Sequence, residues 1–355
     1  MSIKLKVMKR KLFNRMVGLI FLCFAFLQGY SQSAEYNQQA RVFYNSALKN
    51  IKTGQYQKAL DALNMCIELN ANFVKAYVER GKVELQLNKL DEANNDFNKC
   101  LTLNDKSGEA LFGRAYVSFL KNQYNPALQD FTQAIANGYS EPMVYYYRGV
   151  IRMVNEDFTG ANTDFSFAID KKPDFAYAFH DRAGAKYKLN DLKGAEEDYK
   201  KAIELSPKFV LAYNNMGNVK KDQGEYNAAI EAYSKAISID STFSMVFNNR
   251  GNAYYLVGNR IAAIDDFNKA ITLQPEYLSA LNNLAVALSG EKRYKEAMET
   301  FNKVIAISSE FGAAYLNRGQ LKELQGDIDG ACNDWKIAEK LGMTDAQTYL
   351  KEYQK

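Results

Sequence analysis

The chain has 355 residues, 47% of them hydrophobic and 24% charged, with a single histidine and a formal net charge of +4. Lys4, Lys6, Lys9, Arg10, Lys11 and Arg15 lie in the first 31 residues, which hold no acid, so +4 less these six leaves −2 for the rest. That balance excludes the basic footprint of a nucleic-acid binder, and a lone histidine excludes a multi-histidine zinc site.

The basic head runs into an apolar stretch from Met16 to Leu27. This is shorter than the ~20 residues needed to span a bilayer, but it suits the core of a secretory signal. Residues 1–31 are expected to be a signal peptide cleaved after Ser31 or Ser33, with 32–39 as a lead-in. The mature chain would then have no transmembrane segment and is expected to be exported to a periplasm; the alternative is a membrane tether formed by an uncleaved signal. Cys23 sits behind Leu22 inside the apolar run, so no lipid anchor is expected there. Cys66, Cys100 and Cys332 remain, an odd number that cannot close a disulfide framework.

From Ala40 a 34-residue period repeats nine times without insertion or deletion, starting at Ala40, Val74, Gly108, Pro142, Ala176, Val210, Ser244, Leu278 and Gly312. The repeats span 40–343, the last ending near 345. Such a period marks paired helices that stack by addition and need no domain boundary. Position four is bulky, from Phe43 to Tyr315, and position eight is always glycine or alanine, from Ala47 to Gly319. Four residues apart is one helix face, where a large side chain stands beside a gap. Glycine or asparagine at position fifteen in seven repeats, as in Gly54, Asn88 and Gly224, predicts a left-handed turn that ends the first helix.

The second helix carries alanine at position twenty in every repeat, from Ala59 to Ala331, and an aromatic at position twenty-four in eight, from Phe97 to Trp335. Pro173, Pro207 and Pro275 stop it at position thirty-two. The third repeat runs Asn137-Gly138-Tyr139 at that place, which predicts a local irregularity. Thr344 followed by Ala346, Tyr349, Leu350 and Tyr353 predicts a capping helix in 344–355. With its bulky, small, aromatic, alanine and proline columns, the chain resembles the tetratricopeptide repeat family over nine times 34 residues. The resemblance implies an all-α solenoid, a right-handed superhelix of antiparallel helix pairs, that binds a protein or peptide partner in a groove lined by the first helices.

Arginine occupies position seven in six repeats, as Arg80, Arg114, Arg148, Arg182, Arg250 and Arg318. The same six carry aspartate at position twenty-three, as Asp96, Asp130, Asp164, Asp198, Asp266 and Asp334. The other three lack both. Each arginine is therefore expected to pair with the aspartate of its own repeat, a structural bond between its two helices.

Two unlike zones follow at the positions that line the groove in the family. Repeats three to five present Phe112, Tyr116, Tyr146, Tyr147, Tyr177, His180 and Tyr187, which if exposed would take apolar side chains or stack on sugar rings. The alternative reading of function, a carbohydrate or cell-wall binding module, rests on them. Repeats six to nine present Asn215, Asn249, Asn283 and Asn317 at position six, Asn214, Asn248 and Asn282 just before the first three, and Asn218 and Asn252 at position nine. A side-chain amide donates and accepts, so a row of them can hold an extended peptide by its backbone. This row is similar to the asparagine ladder of O-linked N-acetylglucosamine transferases.

No repeat has the position-five lysine of the family's carboxylate clamp, and Lys75 and Lys82 are expected to be solvated. No phosphate loop, dinucleotide fingerprint or nucleophile elbow is present, so neither enzyme activity nor a cofactor is expected. Asp327-Ile328-Asp329-Gly330 reads as the turn opening a helix, because Lys336 stands where a calcium loop needs its closing carboxylate.

Overall fold

A computed structural model describes residues 35–353. The expected signal peptide, 1–31, lies outside the described residues. Nineteen helices follow one another, with no strand among the described residues. The first helices of the nine repeats are α1 (35–52), α3 (Val74–Gln86), α5 (Gly108–Leu120), α7 (Pro142–Val154), α9 (Ala176–Lys188), α11 (Val210–Asp222), α13 (Ser244–Leu256), α15 (Leu278–Gly290) and α17 (Gly312–Leu324). The second helices are α2 (Tyr56–Leu69), α4 (Leu90–Leu103), α6 (Tyr124–Ala136), α8 (Phe158–Lys171), α10 (Leu192–Leu205), α12 (Tyr226–Ile239), α14 (Arg260–Leu273), α16 (Tyr294–Ile307) and α18 (Ile328–Lys340). A last helix, α19 (Ala346–Tyr353), packs on α18. The architecture is an all-α solenoid, and the chain divides into two compact units, one ending at Asn155 and the other starting at Glu156.

Each first helix ends at a residue with positive φ at position fifteen, in all nine repeats, between 57° and 83°. Glycine or asparagine supplies seven of these turns; Glu156 (60°) and Lys292 (62°) adopt the same conformation without that help. The helix end is closed by paired backbone bonds, as in Gln55 N to Asn50 O at 2.8 Å and Gly54 N to Ile51 O at 3.0 Å. These satisfy carbonyls that the last turn leaves open. The second helices of repeats four, five and nine then start at Asp157, Asp191 and Asp327, whose carboxylates each accept from the backbone N–H of a glycine three residues on at 2.9 Å. Asp327 is thus a helix cap.

Within each unit the core is a repeated contact between the two helices of a pair. All nine alanines of position twenty are fully buried, and so is nearly every side chain of position twenty-four. The reason for the small residue at position eight is visible at the glycines. A Cβ on Gly251 would sit 2.7 Å from the Phe267 ring, and one on Gly319 would sit 2.4 Å from Trp335 Nε1. The aromatic lies flat against the first helix and leaves no room for a side chain.

Two second helices end differently from the others. Leaving α6, Gly138 turns left-handed (φ 87°) and Tyr139 N bonds to Ala134 O at 2.9 Å; after α18, Gly342 (φ 86°) and Met343 do the same with Ala338 O at 2.9 Å. Their side chains then fill the space above Gly108 and Gly312, the glycines that open α5 and α17. Cys66 and Cys100 are buried free thiols, raised in pKa chiefly by that burial, and Cys332 is free and half-buried. No helix among the described residues is long and apolar enough to cross a membrane.

Candidate functional site

Five of the six arginines of position seven hold the aspartates of their own repeats by two parallel bonds. Nε and Nη2 of Arg80 reach Asp96 at 2.6 and 2.7 Å, and those of Arg250 reach Asp266 at 2.8 and 2.7 Å. Arg114 with Asp130, Arg182 with Asp198 and Arg318 with Asp334 repeat this geometry. Arg148 lies in the first unit and the fully buried Asp164 in the second.

A third bond from each arginine is absent from the sequence expectation. Nη1 reaches back to position twenty-five of the preceding repeat: Arg80 to Asn64 at 2.8 Å, Arg114 to Asn98 at 2.9 Å, Arg182 to Ser166 at 3.1 Å, Arg250 to Ser234 at 3.0 Å and Arg318 to Asn302 at 2.7 Å. The guanidinium therefore ties two repeats as well as two helices, using its rigid fork of donors. A polar residue sixteen places before each arginine was the available signal.

At position eleven, four residues after the arginine, Lys186 and Lys322 add a second cation to the same aspartates, at 2.8 and 2.9 Å. Repeat two places Glu84 there. It is buried beside Asp96, and its Oε2 has no hydrogen-bond partner. Burial, and then the Asp96 charge, push its carboxyl up to about 7.

The asparagine row of the second unit is engaged inside the fold, which corrects the expectation of an open ladder. Asn214, Asn248 and Asn282 are buried, with 1%, 5% and 7% of their surface exposed. Each accepts a bond from position six of the next repeat: Asn249 to Asn214 at 3.0 Å, Asn283 to Asn248 at 3.0 Å and Asn317 to Asn282 at 3.1 Å. Asn215 makes the equivalent bond to His180 Nε2 at 3.1 Å. Position five lies against the neighbouring repeat, so its amide is closed to a ligand, and position six spends one donor on holding it. Asn218 is occupied too, since Tyr233 donates its hydroxyl proton to Asn218 Oδ1 at 2.7 Å. Asn252 is half-buried and stands opposite a phenylalanine, Phe267, at the place of Tyr233.

The aromatic zone is likewise partly core. In the first unit Phe112, Tyr116 and Tyr147 are half-buried and pack on one another, with ring centroids 6.3 Å apart for Phe112 and Tyr116 and 4.8 Å for Tyr116 and Tyr147. Tyr146 sits edge-on to Tyr147 at 5.5 Å. Burial pushes the Tyr147 phenol far up. In the second unit Tyr177 is 60% exposed beside Phe209, whereas His180 lies between Tyr199 and Phe209, and Tyr187 donates to Asp222. The Tyr147 ring is inclined 42° to those of Phe112 and Tyr116, so the three do not form one flat platform for sugar rings.

What remains open in the first unit is a cavity of about 430 Å³ between α1, α2, α3 and α5, with Ile51, Tyr56, Val83, Leu85, Phe112 and Tyr116 in its wall. Glu79, Lys82 and Gln86 also line it. Lys82, expected to be solvated, instead bonds Glu79 at 3.0 Å and also Glu109. Burial alone would lower its pKa, but the two carboxylates raise it above the ordinary value. A smaller cavity of about 230 Å³ in the second unit involves Tyr255, Val286, Ser289, Asn317, Gln320 and Leu324.

Family models described as TPR repeat match residues 184–224 and 217–258, and models described as tetratricopeptide repeat match 74–107, 244–277 and 278–311. No curated protein matches the sequence. Among solved structures, the C-terminal part of a TPR repeat-containing protein from Cytophaga hutchinsonii is 22% identical over 67% of this chain and 98% of its own, with a TM-score of 0.53. PilF from Pseudomonas aeruginosa is 21% identical over 59% and 97%, with a TM-score of 0.52. The Cut9–Hcn1 assembly of the APC/C is 14% identical over 90% and 84%, with a TM-score of 0.54. These likenesses show the fold, and the matched segments identify tetratricopeptide repeats within the chain.

Proposed function

We propose that this repeat scaffold is exported and holds an extended segment of a partner protein along its first helices. The observation that carries the reading is the cavity of about 430 Å³ on α3 and α5, whose lining is mostly apolar and aromatic with Glu79, Lys82 and Gln86 among it. That combination suits an apolar side chain anchored in a pocket, with the neighbouring peptide backbone meeting polar groups. In the second unit, taken by itself, Asn249, Asn283 and Asn317 have each donated one amide hydrogen to the fold and keep a carbonyl oxygen that a peptide N–H could meet. Export rests on the basic and apolar leader of residues 1–31, and cell-envelope components are the corresponding class of partner.

A library of extended peptides should yield binders with an apolar anchor. Gln86→Trp, which adds bulk to a residue lining the cavity, should weaken them at least ~10-fold, or ~1.4 kcal/mol. Unchanged binding by Gln86→Trp sinks this site, and no binder anywhere in the library sinks the reading. Recovery of the tagged protein from the cytoplasm with its leader intact would sink export.

A further inference from the structure

We propose that His180 is a proton-operated switch at the head of a chain of amides through repeats five to seven, setting which hydrogen-bonding groups that face offers a partner. The proposal rests on the reading that the first helices bind a peptide, and names a regulation of that binding. His180 is on α9, with Nδ1 at 2.7 Å from Asp181 Oδ1 and Nε2 at 3.1 Å from Asn215 Nδ2. Asn215 Oδ1 accepts from Asn214 Nδ2 at 3.1 Å, and Asn214 Oδ1 accepts from Asn249 Nδ2 at 3.0 Å. All four links run one way: Asn249 to Asn214 to Asn215 to His180 to Asp181.

An amide nitrogen only donates, so Nε2 accepts and the ring in this arrangement is neutral, with its proton on Nδ1. A second proton, on Nε2, sets two donors against each other. Turning the Asn215 amide by half a turn relieves that clash by presenting Oδ1 to the ring. The turn then aims Asn215 Nδ2 at Asn214 Nδ2, so Asn214 must turn in its place, and Asn249 after it. The protonated ring and the present chain of amides are incompatible. The neighbouring rungs, Asn283 to Asn248 and Asn317 to Asn282, repeat the geometry without a titratable member.

Histidine is the side chain that changes charge between about pH 5 and 8, and this chain has one. Its ring is 14% exposed, with Tyr199 and Phe209 at 5.5 and 4.7 Å. Around it, Asp181 on α9 faces Nδ1 and Asn215 on α11 faces Nε2. Tyr199 on α10 also meets Asn215, and burial keeps its phenol neutral. The helices packed on α9 carry two further buried carboxylates, Asp164 on α8 and Asp198 on α10, the latter held by Arg182 and Lys186.

The test follows side-chain amide and imidazole nitrogen resonances of the full chain from pH 8 to 5. The amides of Asn215, Asn214 and Asn249 should move with the His180 ring at one midpoint, while Asn317 stays still. In His180→Gln none should move, and in Asn215→Leu the ring should titrate without Asn214 and Asn249. A groove peptide should change affinity at least ~5-fold between pH 8 and 5.5, and His180→Gln should abolish the change; ~5-fold is ~1 kcal/mol. Still amides during protonation of the ring, a ring that stays neutral to pH 5, or a concerted shift that leaves peptide affinity unchanged each overturn the proposal. Failure of every peptide to bind would instead bring down the peptide-binding reading, with the amide shifts still deciding whether the relay exists.

Discussion

In the first unit, neighbouring first helices meet through rings, Phe112 and Tyr116 of α5 with Tyr147 of α7. In the second unit the corresponding surface is joined by amides, with α13 donating to α11, α15 to α13 and α17 to α15. Ring contacts draw mainly on buried apolar area and leave no donor or acceptor to satisfy, so they hold while leaving a pocket beside them. The amide row is directional and must satisfy each buried member, so it fixes one spacing per repeat and leaves a single carbonyl face outward. One repeat scaffold thus carries an apolar and a polar way of stacking, and each leaves a different surface for a partner.

The comparison breaks first at its anchors. Phe131→Ala, which removes a fully buried ring in contact with Phe112 and Tyr147, should cost ~3–5 kcal/mol in urea unfolding, and a cost under ~1 kcal/mol would show the rings to be peripheral. Asp266→Ala should cost ~3 kcal/mol, because it strands Arg250 between two repeats. An additive double-mutant cycle with Arg250→Ala would count against the pair as a brace. Asn248→Ala, which leaves the Asn283 amide without its acceptor, should cost ~1–3 kcal/mol; no effect would mean that the amide row is incidental to stacking.

A subtler difference is expected with pH in repeat two. The Glu84 carboxyl is raised to about 7 in the fold from an ordinary 4.5, so between those values the folded state binds more protons than the unfolded one. Its contribution to stability therefore falls as pH rises through that window and is flat above it. Glu84→Gln should remove this slope from thermal unfolding measured at several pH values; an unchanged slope assigns it to another group. The smallest effect is at Lys292, which spends a left-handed turn on a residue with a Cβ. Lys292→Gly should stabilise by up to ~1 kcal/mol, and destabilisation would show that the side chain earns its place.

Several of these features are legible in the sequence. The co-occurrence of arginine at position seven and aspartate at position twenty-three names partners sixteen residues apart, and Arg80, Arg114, Arg182, Arg250 and Arg318 hold those partners in the structure. The third bond, to Asn64 or Ser234, is harder to see because asparagine, threonine and serine all serve, so no single residue type marks the column. Glu156 and Lys292 give no sign of a left-handed turn; the repeat imposes it on them.

The sequence by itself determined the period, the helix pairs and the core columns, because one turn residue and one small-against-aromatic contact recur every 34 residues and close-packing leaves them no alternative. Which polar column faces outward and which faces the next repeat was decided only in the tertiary structure. Asn248 and Asn249 are adjacent in the chain and alike in chemistry, yet one is buried as an acceptor and the other is half-exposed as a donor. That difference depends on the rotation of each first helix against its neighbour, a quantity that a repeating pattern of residue types does not contain.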